Sequence, residues 1–146
     1  NGWTTAAWFF PALLIQQAVK GTALSVTPDA ASGVTASGGS IGVLVSTVLP
    51  GQSDDMTLEI QGLSAMHLEL DGKTLLPASL SFETHPDEDM NQNIPVRIEF
   101  SDYRNVSGAQ VAFHVQKFLQ GVLSLDITLS TATLNPGLPG SEFDLQ

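Results

Sequence analysis

The sequence predicts a mainly β protein of the α+β class, in which a curved antiparallel sheet, or incomplete β-barrel, wraps around one N-terminal helix. Two observations lead to this prediction. From residue 22 to residue 133 most segments alternate apolar and polar residues, which is the pattern of strands that bury one face. A helical pattern is confined to about residues 10–20, and the apolar face of the sheet is the economical place to bury that helix.

The chain is long enough for one domain with a hydrophobic core. A fold of 146 residues removes roughly two thirds of its unfolded surface from water, so we expect residues 1–146 to form a single domain. The first residue, Asn1, is either a natural mature start or the boundary of a fragment of a longer chain. The sequence has no Cys, which excludes disulfides, thiolate zinc sites and a cysteine nucleophile.

The charge of the chain limits its partners. Fifteen acidic residues against five basic ones give a formal net charge of −10. Such a chain repels polyphosphates and anionic headgroups, so nucleic acid is not expected as a partner. Charged residues make up only 14% of the chain, while Ser, Thr, Gly and Ala are plentiful. Because this composition is typical of exported β proteins, we expect a periplasmic or extracellular location.

The helix is predicted from its two ends. Pro11 fits the first turn of a helix, because its missing N–H would have no partner there. Lys20 in the last turn complements the helix dipole, and Gly21 can adopt the left-handed conformation of a C-terminal cap. The apolar side chains around the start of this helix form a surface too broad to leave exposed, so we expect the sheet to cover it. They are Trp8, Phe9, Phe10, Leu13 and Leu14.

The first part of the sheet is predicted from short β-branched or alternating segments separated by turn residues. Ser32–Gly39 is a loop of small residues. Asp71-Gly72 is the strongest hairpin signal, because a type I′ turn needs positive φ at both central positions. The predicted strands are Thr22–Thr27, Ser40–Leu49, Met56–Gln61, Met66–Leu70 and Pro77–His85.

The last three strands are predicted to form one antiparallel meander. Turns are indicated at Asn105–Gly108 and Gln120–Gly121. Every second residue of Leu123–Leu129 is apolar, so Leu123 is expected on the same face as Leu125. The residues expected inside this meander are Val96, Ile98, Phe113, Val115, Leu125 and Ile127.

The residues that suggest chemistry have ordinary structural interpretations, so we expect neither an enzyme nor a cofactor. Gly38–Gly42 places Ser40 in the pattern of a nucleophile elbow. That elbow needs a strand before it and a helix after it, whereas here a loop precedes and a strand follows. His67, His85 and His114 lie at separate polar positions without the spacing of metal ligands. We expect these histidines to be solvated or hydrogen-bonded.

An acidic loop is the weak metal candidate. Asp87, Asp89, Asn91 and Asn93 have the spacing of the first ligands of a calcium loop. Gln92 stands where such a loop requires Gly. We therefore expect no metal site, with adventitious Ca²⁺ binding at this loop as the alternative.

Part of the chain resembles the C-terminal part of the bacterial outer-membrane lipoprotein carrier and sorting proteins. The resemblance covers about Met66 to Leu145 and consists mostly of strand and turn motifs. It implies an incomplete antiparallel β-barrel with helices in its open side and an apolar cavity for acyl chains. The matching segments are Met66–Phe82, Asp102-Tyr103-Arg104, Val106 with Gly108, Leu134-Asn135-Pro136 and Leu138–Phe143.

These observations favour an exported carrier-like binding module that holds a lipid, an acyl chain or another apolar ligand in a concave pocket of the sheet. Whether the pocket is a ligand site or plain core is left open. The pocket residues expected are Trp8, Phe9, Phe10, Leu13, Leu14, Val96, Ile98, Phe100, Phe113, Val115, Leu125 and Ile127.

The alternative is a structural or self-assembling extracellular protein. Members of the carrier family have further strands before the helix, while this chain starts almost at the helix. A neighbouring subunit can supply such strands at an open sheet edge. A hydrolase that uses Ser40 is the third interpretation.

Overall fold

The computed structural model places one seven-stranded antiparallel sheet and two helices in the part of the chain that it describes. Each strand pairs with the next strand along the chain. Within the described ranges the sheet is not closed, so its first and last strands are its two edges. The mainly β class with an antiparallel sheet is thereby confirmed, and an incomplete barrel is compatible with it. The described residues are 11–20, 24–29, 39–86, 88–89, 91–134 and 137.

The seven strands differ in length, and the longest pair lies near the C-terminal edge of the sheet. Two-residue turns join the fifth, sixth and seventh strands, so these three strands form the predicted meander. The strands are β1 (Leu24–Pro28), β2 (Ser40–Thr47), β3 (Met66–Asp71), β4 (Pro77–Thr84), β5 (Ile94–Val106), β6 (Ala109–Leu119) and β7 (Val122–Thr128).

The first helix, α1 (Pro11–Lys20), occupies the position that the sequence predicts. Pro11 is buried in its first turn, and Ile15 packs against the hydrophobic core of the sheet. This contact places α1 on the apolar side of the sheet, where it also contacts β1.

The second helix, α2 (Asp54–Leu63), corrects the strand that was predicted at Met56–Gln61. Ser53 caps this helix, because its hydroxyl oxygen accepts a hydrogen bond from the Met56 backbone N–H at 3.4 Å. The carboxylates in the first turn complement the helix dipole. None of the residues of α2 is buried, so the alternation of its apolar side chains does not correspond to the buried face of a strand.

One face of the sheet carries the hydrophobic core. Leu80 and Ile98 lie opposite each other on β4 and β5 and are fully buried. Burial of such a side chain stabilises the fold by about 1.5–3 kcal/mol. Tyr103 packs at the border of the core, where its hydroxyl donates to the Pro77 carbonyl oxygen at 2.7 Å. The buried members of the core are Leu68, Leu80, Phe82, Val96, Ile98, Phe100, Ala112 and Val115.

The turns of the meander lie where the sequence predicts them. Ser107 and Gly108 connect β5 to β6 with φ values of 50° and 89°. Gln120 and Gly121 connect β6 to β7 with φ values of 51° and 77°. Positive φ at both central positions is the requirement of a type I′ hairpin, which matches the twist of the strands.

The hairpin after Asp71 differs from the predicted two-residue turn, because β3 and β4 are joined by the five residues 72–76. The Asp71 carboxylate accepts hydrogen bonds from the backbone N–H groups of Thr74 and Lys73 at 2.7 and 3.1 Å. These bonds, with the Thr74 hydroxyl, lower the pKa of Asp71. Leu75 takes the positive φ of 59°. The Asp71 side chain thus organises a wider loop than Asp-Gly alone indicates.

A bulge in β7 corrects one predicted facing. The pairing of β6 with β7 shifts by one residue, so that Lys117 pairs with Leu125 but Phe118 pairs with Leu123. Phe118 also pairs with Arg97 on the polar side of the sheet. Since paired residues share a face, Leu123 lies on the polar side, opposite to its predicted side.

Candidate functional site

The apolar face of the sheet continues beyond the part that is covered. In one row, Val96 of β5 pairs with Leu119 of β6, which pairs with Val122 of β7. The exposed fraction of these residues rises from 2% to 40% and then to 69%. Because paired residues share a face, one apolar surface passes from the buried core into solvent at β7.

A second row shows the same change. Ile98, which is fully buried, pairs with Lys117, and Lys117 pairs with Leu125. Leu125 is 38% exposed, so the expectation that it lies inside is wrong. The alternating sequence identifies its face correctly, but the cover over that face ends before β7 in the described structure. Lys117 is half-buried and places one cation among these apolar side chains.

The third row ends less abruptly. Phe100 and Val115 are buried, and Val115 pairs with Ile127, which is half-buried and packs against the core. The apolar side chains at the open end of the three rows form the surface that we call the β7 strip. The β7 strip consists of Leu119, Val122, Leu125 and Ile127.

Phe113 is buried, as expected, but it lies outside the main core cluster. The regular pairing of β5 with β6 is interrupted at Asp102, whose φ is 51°. At this kink Ala112, instead of Phe113, belongs to the core cluster. The Arg104 guanidinium carbon lies 4.3 Å from the centroid of the Phe113 ring, in a cation–π contact.

The remaining predicted pocket residues come from the N-terminal segment. Trp8, Phe9 and Phe10 lie outside the described residues. Leu13 and Leu14 belong to α1, but their side chains also lie outside the description. The contact of α1 with the core therefore rests on Ile15.

The polar face holds a hydrogen-bond network centred on Glu69. One Glu69 oxygen accepts from the Ser40 hydroxyl at 2.9 Å, and the other accepts from the Ser79 hydroxyl at 2.9 Å. Arg97 approaches the second oxygen at 3.4 Å and donates to Glu99 at 2.9 Å. The hydroxyl hydrogen bonds, led by that of Ser40, lower the pKa of Glu69. Ser40, at the start of β2, thus donates a hydrogen bond to the carboxylate of Glu69 on β3.

A second polar cluster links the last three strands. His114 Nε2 lies 2.8 Å from an Asp126 oxygen, and His114 Nδ1 lies 3.1 Å from the Ser101 hydroxyl. Gln116 donates to the other Asp126 oxygen at 2.8 Å. The hydrogen bonds from Gln116 and His114 lower the pKa of Asp126. A serine, a histidine and a carboxylate thus stand in line, but on an exposed sheet face and with Nδ1, not Nε2, towards the serine.

The other edge of the sheet has its own polar contact. Asp29, directly after β1, is buried, and its carboxylate lies 2.7 Å from His67 Nδ1 on β3. The Asp29 backbone N–H donates to the Gly42 carbonyl oxygen at 3.0 Å. These contacts fasten the end of β1 to the body of the sheet.

The polar face also carries an open cleft of about 480 Å³ between the end of α2 and the β6–β7 turn. His67, Arg97 and Glu83 bring both signs of charge to its wall, and Gly121 lies at its rim. Most of its lining belongs to the polar face, but Phe82 and Val96 of the apolar rows also line it, and Val96 is one of the predicted pocket residues. Its mixed charges do not define one class of ligand.

Three of the four residues of the calcium candidate, Asp89, Asn91 and Asn93, lie in the described ranges. Asp89 accepts a hydrogen bond from the Asn91 backbone N–H at 3.0 Å, and the Asn93 side-chain oxygen lies 2.9 Å from His85 Nε2. Asp87 lies outside the described residues. Among the residues that are described, no group of three or more His, Asp or Glu side chains could hold a metal ion.

None of the helices in the described ranges is both long and apolar enough to cross a bilayer. Comparisons of the chain with protein-family models, with curated proteins and with solved structures found no match.

Proposed function

We propose that the protein is a non-enzymatic assembly module, which associates with a neighbouring chain through the β7 side of its sheet. The observation that carries this proposal is the apolar row that starts in the core at Val96 and ends at Val122, 69% exposed, on an edge strand. Exposed apolar surface that continues a core row gains stability when a second surface covers it.

The chemistry of β7 supports the same proposal. An edge strand presents backbone N–H and C=O groups that can pair with another strand, and natural edges are commonly blocked by Lys or Pro. The sequence of β7, VLSLDIT, contains neither, and Asp126 is its single charged residue. The bulge next to Leu125 is the one blocking device within β7, and it leaves the second half of the strand regular.

A second candidate function is the carrier-like binding of an acyl chain, as the resemblance to lipoprotein carriers implies. Lys117 lies in an apolar row between Ile98 and Leu125, where its ammonium group is suited to a fatty-acid carboxylate. We place this ligand on the β7 strip, because the centre of the apolar face is filled by fully buried side chains. For either function we propose a periplasmic or extracellular location, which the low fraction of charged residues supports.

The proposal of a non-enzymatic protein has its own support in two serines. Ser40 donates its hydrogen bond to Glu69, and the lowered pKa of Glu69 makes this carboxylate a weak general base for the hydroxyl. Ser101 faces a histidine, but it stands on an open strand surface. A serine-directed fluorophosphonate should leave the mass of the intact protein unchanged. Stoichiometric labelling of either serine would overturn this part of the proposal.

Assembly is tested by measuring the mass of the native protein against concentration, by light scattering after size exclusion and by native mass spectrometry. We expect a concentration-dependent mass above that of one chain, lowered to one chain by Leu125→Asp. Leu58→Asp is the matched control, because Leu58 is an exposed leucine that lies on α2 and does not belong to the sheet or to the β7 strip. Added salt should increase the association, since screening weakens the repulsion between chains of net charge −10.

The outcomes separate the two candidates. A single-chain mass at all concentrations, with retained lipid in the native spectrum, would reject assembly in favour of the carrier. Equal loss of association in Leu125→Asp and Leu58→Asp would also reject the β7 side as the interface. In the carrier case Lys117→Gln should weaken fatty-acid binding and leave binding of an uncharged alkane chain unchanged.

A further inference from the structure

The backbone of β7 has a defined set of outward-pointing groups. The Leu129 N–H donates to the Phe113 carbonyl oxygen at 2.8 Å, so Leu129 is directed towards β6. In an antiparallel ladder every second residue forms such a pair, and the residues between them direct their N–H and C=O groups away. Ile127 and Leu125 therefore also direct their backbone N–H and C=O groups towards β6. Asp126 and Thr128 present their backbone groups at the edge that is open within the described part of the chain.

We propose that β7 pairs antiparallel with β7 of a second copy, about a two-fold axis that passes beside Ile127. This inference rests on the proposed assembly function and specifies its geometry. In this register the outward backbone groups of Asp126 meet those of Thr128 in the second copy, and the reverse pair forms by symmetry. Ile127 lies opposite Ile127 of the second copy, and Leu125 lies opposite Leu129 of the second copy. The apolar faces of both sheets stay on one side.

Neighbouring registers are less favourable for physical reasons. A two-fold axis at Asp126 places two carboxylates opposite each other, and like charges in that position destabilise a strand pair. An axis at Leu125 brings the bulge between Leu123 and Leu125 of both copies into the contact. The Ile127 register avoids both, and it places the Asp126 carboxylate beside a Thr128 hydroxyl that can donate to it.

The opposite edge is less suited to pairing, which favours β7 over β1 as the second strand. β1 ends in Pro28, which has no N–H to donate. The C-terminal end of β1 is also held in place by the Asp29–His67 contact. A contact of β7 with β1 would continue from chain to chain as a filament, whereas a contact of β7 with itself closes after two chains.

Single-cysteine variants test the register directly, because the natural sequence has no Cys. Residues opposite each other without mutual hydrogen bonds lie about 4.5 Å apart between Cα atoms, which suits a disulfide. Under mild oxidation, Ile127→Cys should form a covalent dimer at least about tenfold faster than Leu125→Cys, whose own copy is too distant in this register. An equal mixture of Leu125→Cys and Leu129→Cys should form the mixed dimer. Val26→Cys on β1 is the control for the other edge.

Each result bears on the proposal. Preferred cross-linking of Leu125→Cys would move the axis and overturn this register. Cross-linking of Val26→Cys with Ile127→Cys would replace the closed pair by a filament. If the mass measurement shows association while neither Ile127→Cys nor the mixed Leu125→Cys and Leu129→Cys pair cross-links above its rate in urea, the β7–β7 pairing is wrong and assembly itself stands. A single-chain mass throughout would remove both.

Discussion

Replacement of Ile98 by Ala tests the packing on which the assignment of the two sheet faces depends. Ile98 lies on β5 in the centre of the sheet and is fully buried. Its row partners are Leu80 on β4 and Lys117 on β6, and β strands on both sides hold its backbone in place. Because the neighbouring strands are hydrogen-bonded to β5, the surroundings can collapse only partly around a smaller side chain.

The expected cost follows from the atoms removed. Ile→Ala deletes three carbon groups, and the transfer of each to water costs about 0.8 kcal/mol, or roughly 2.4 kcal/mol together. The cavity that remains adds to this loss, so that the total for a buried Ile→Ala change is about 2–5 kcal/mol. For a chain of this size each kcal/mol lowers Tm by roughly 2–4 °C.

The assay is urea unfolding of the unchanged protein and of Ile98→Ala. Both are measured at one low protein concentration, at which any association contributes little to stability. Leu125→Ala is the matched control, because Leu125 is in the same row but 38% exposed. We expect this control to cost less than about 1 kcal/mol, since much of the side chain already contacts water. A loss below about 0.5 kcal/mol for Ile98→Ala, or equal losses at both positions, would refute the core assignment.

Three further predictions use single groups. Tyr103 is the only tyrosine, and burial raises its pKa to about 12, so absorbance titration should show a late phenolate transition that returns to about pH 10 in urea. Because the pKa of Tyr103 is higher in the folded protein than in the unfolded one, the contribution of this group to folding stability is complete below about pH 10 and is lost as the pH rises towards 12. A phenolate transition at about pH 10 in the folded protein would contradict the burial of Tyr103. The Asp126 carboxyl, followed by NMR, should titrate below its ordinary pKa of 3.8, and Gln116→Ala should raise it; its stabilisation is lost as the pH falls through the lowered pKa. Gly121→Ala should cost about 1–2 kcal/mol in urea unfolding, because Gly121 has a φ of 77° and an Ala at that angle is strained; an unchanged midpoint would exclude the turn geometry.

The meander could be predicted from the sequence because its signals are local. Gln120–Gly121 and Ser107–Gly108 are two-residue turns in which a Gly takes the second position of positive φ, and this Gly is the local signal. Most of each strand beside them alternates, so the position of the strands and, away from Asp102 and the β7 bulge, the facing of their residues follow from a few neighbouring residues. The bulge next to Leu125 has no such local signal, and it reversed the facing of Leu123.

The second helix illustrates an ambiguous pattern. Met56, Leu58 and Ile60 alternate as in a strand, while none of the residues of α2 is buried to reveal a period. The available signal was the cap: Ser53 followed by Asp54 and Asp55 is typical of a helix start. Capping chemistry was the better guide here, because an exposed helix need not show an apolar stripe.

The extent of the core was harder to predict than its face. Alternation places Leu125 and Ile98 on the same side, but exposure depends on what lies above them. The clusters on the polar side depend on register, since the contact of His114 with Asp126 needs β6 and β7 aligned to within one residue. The extent of the core and the alignment of the strands are both set by contacts between distant parts of the chain.

The charge distribution of the chain bears on the proposed association through β7. Fifteen acidic residues give the chain a long-range repulsion, yet β7 contains one of them, Asp126, and its carboxylate is engaged by His114 and Gln116. In the proposed assembly, two chains would therefore repel each other at a distance and attract each other only where the exposed apolar side chains of their β7 strips meet. The other edge ends in Pro28, which has no N–H to donate, so the proposed attraction would be confined to the β7 side of the sheet. A strong general repulsion with one short attractive edge favours a salt-dependent pair of chains over an open-ended fibre.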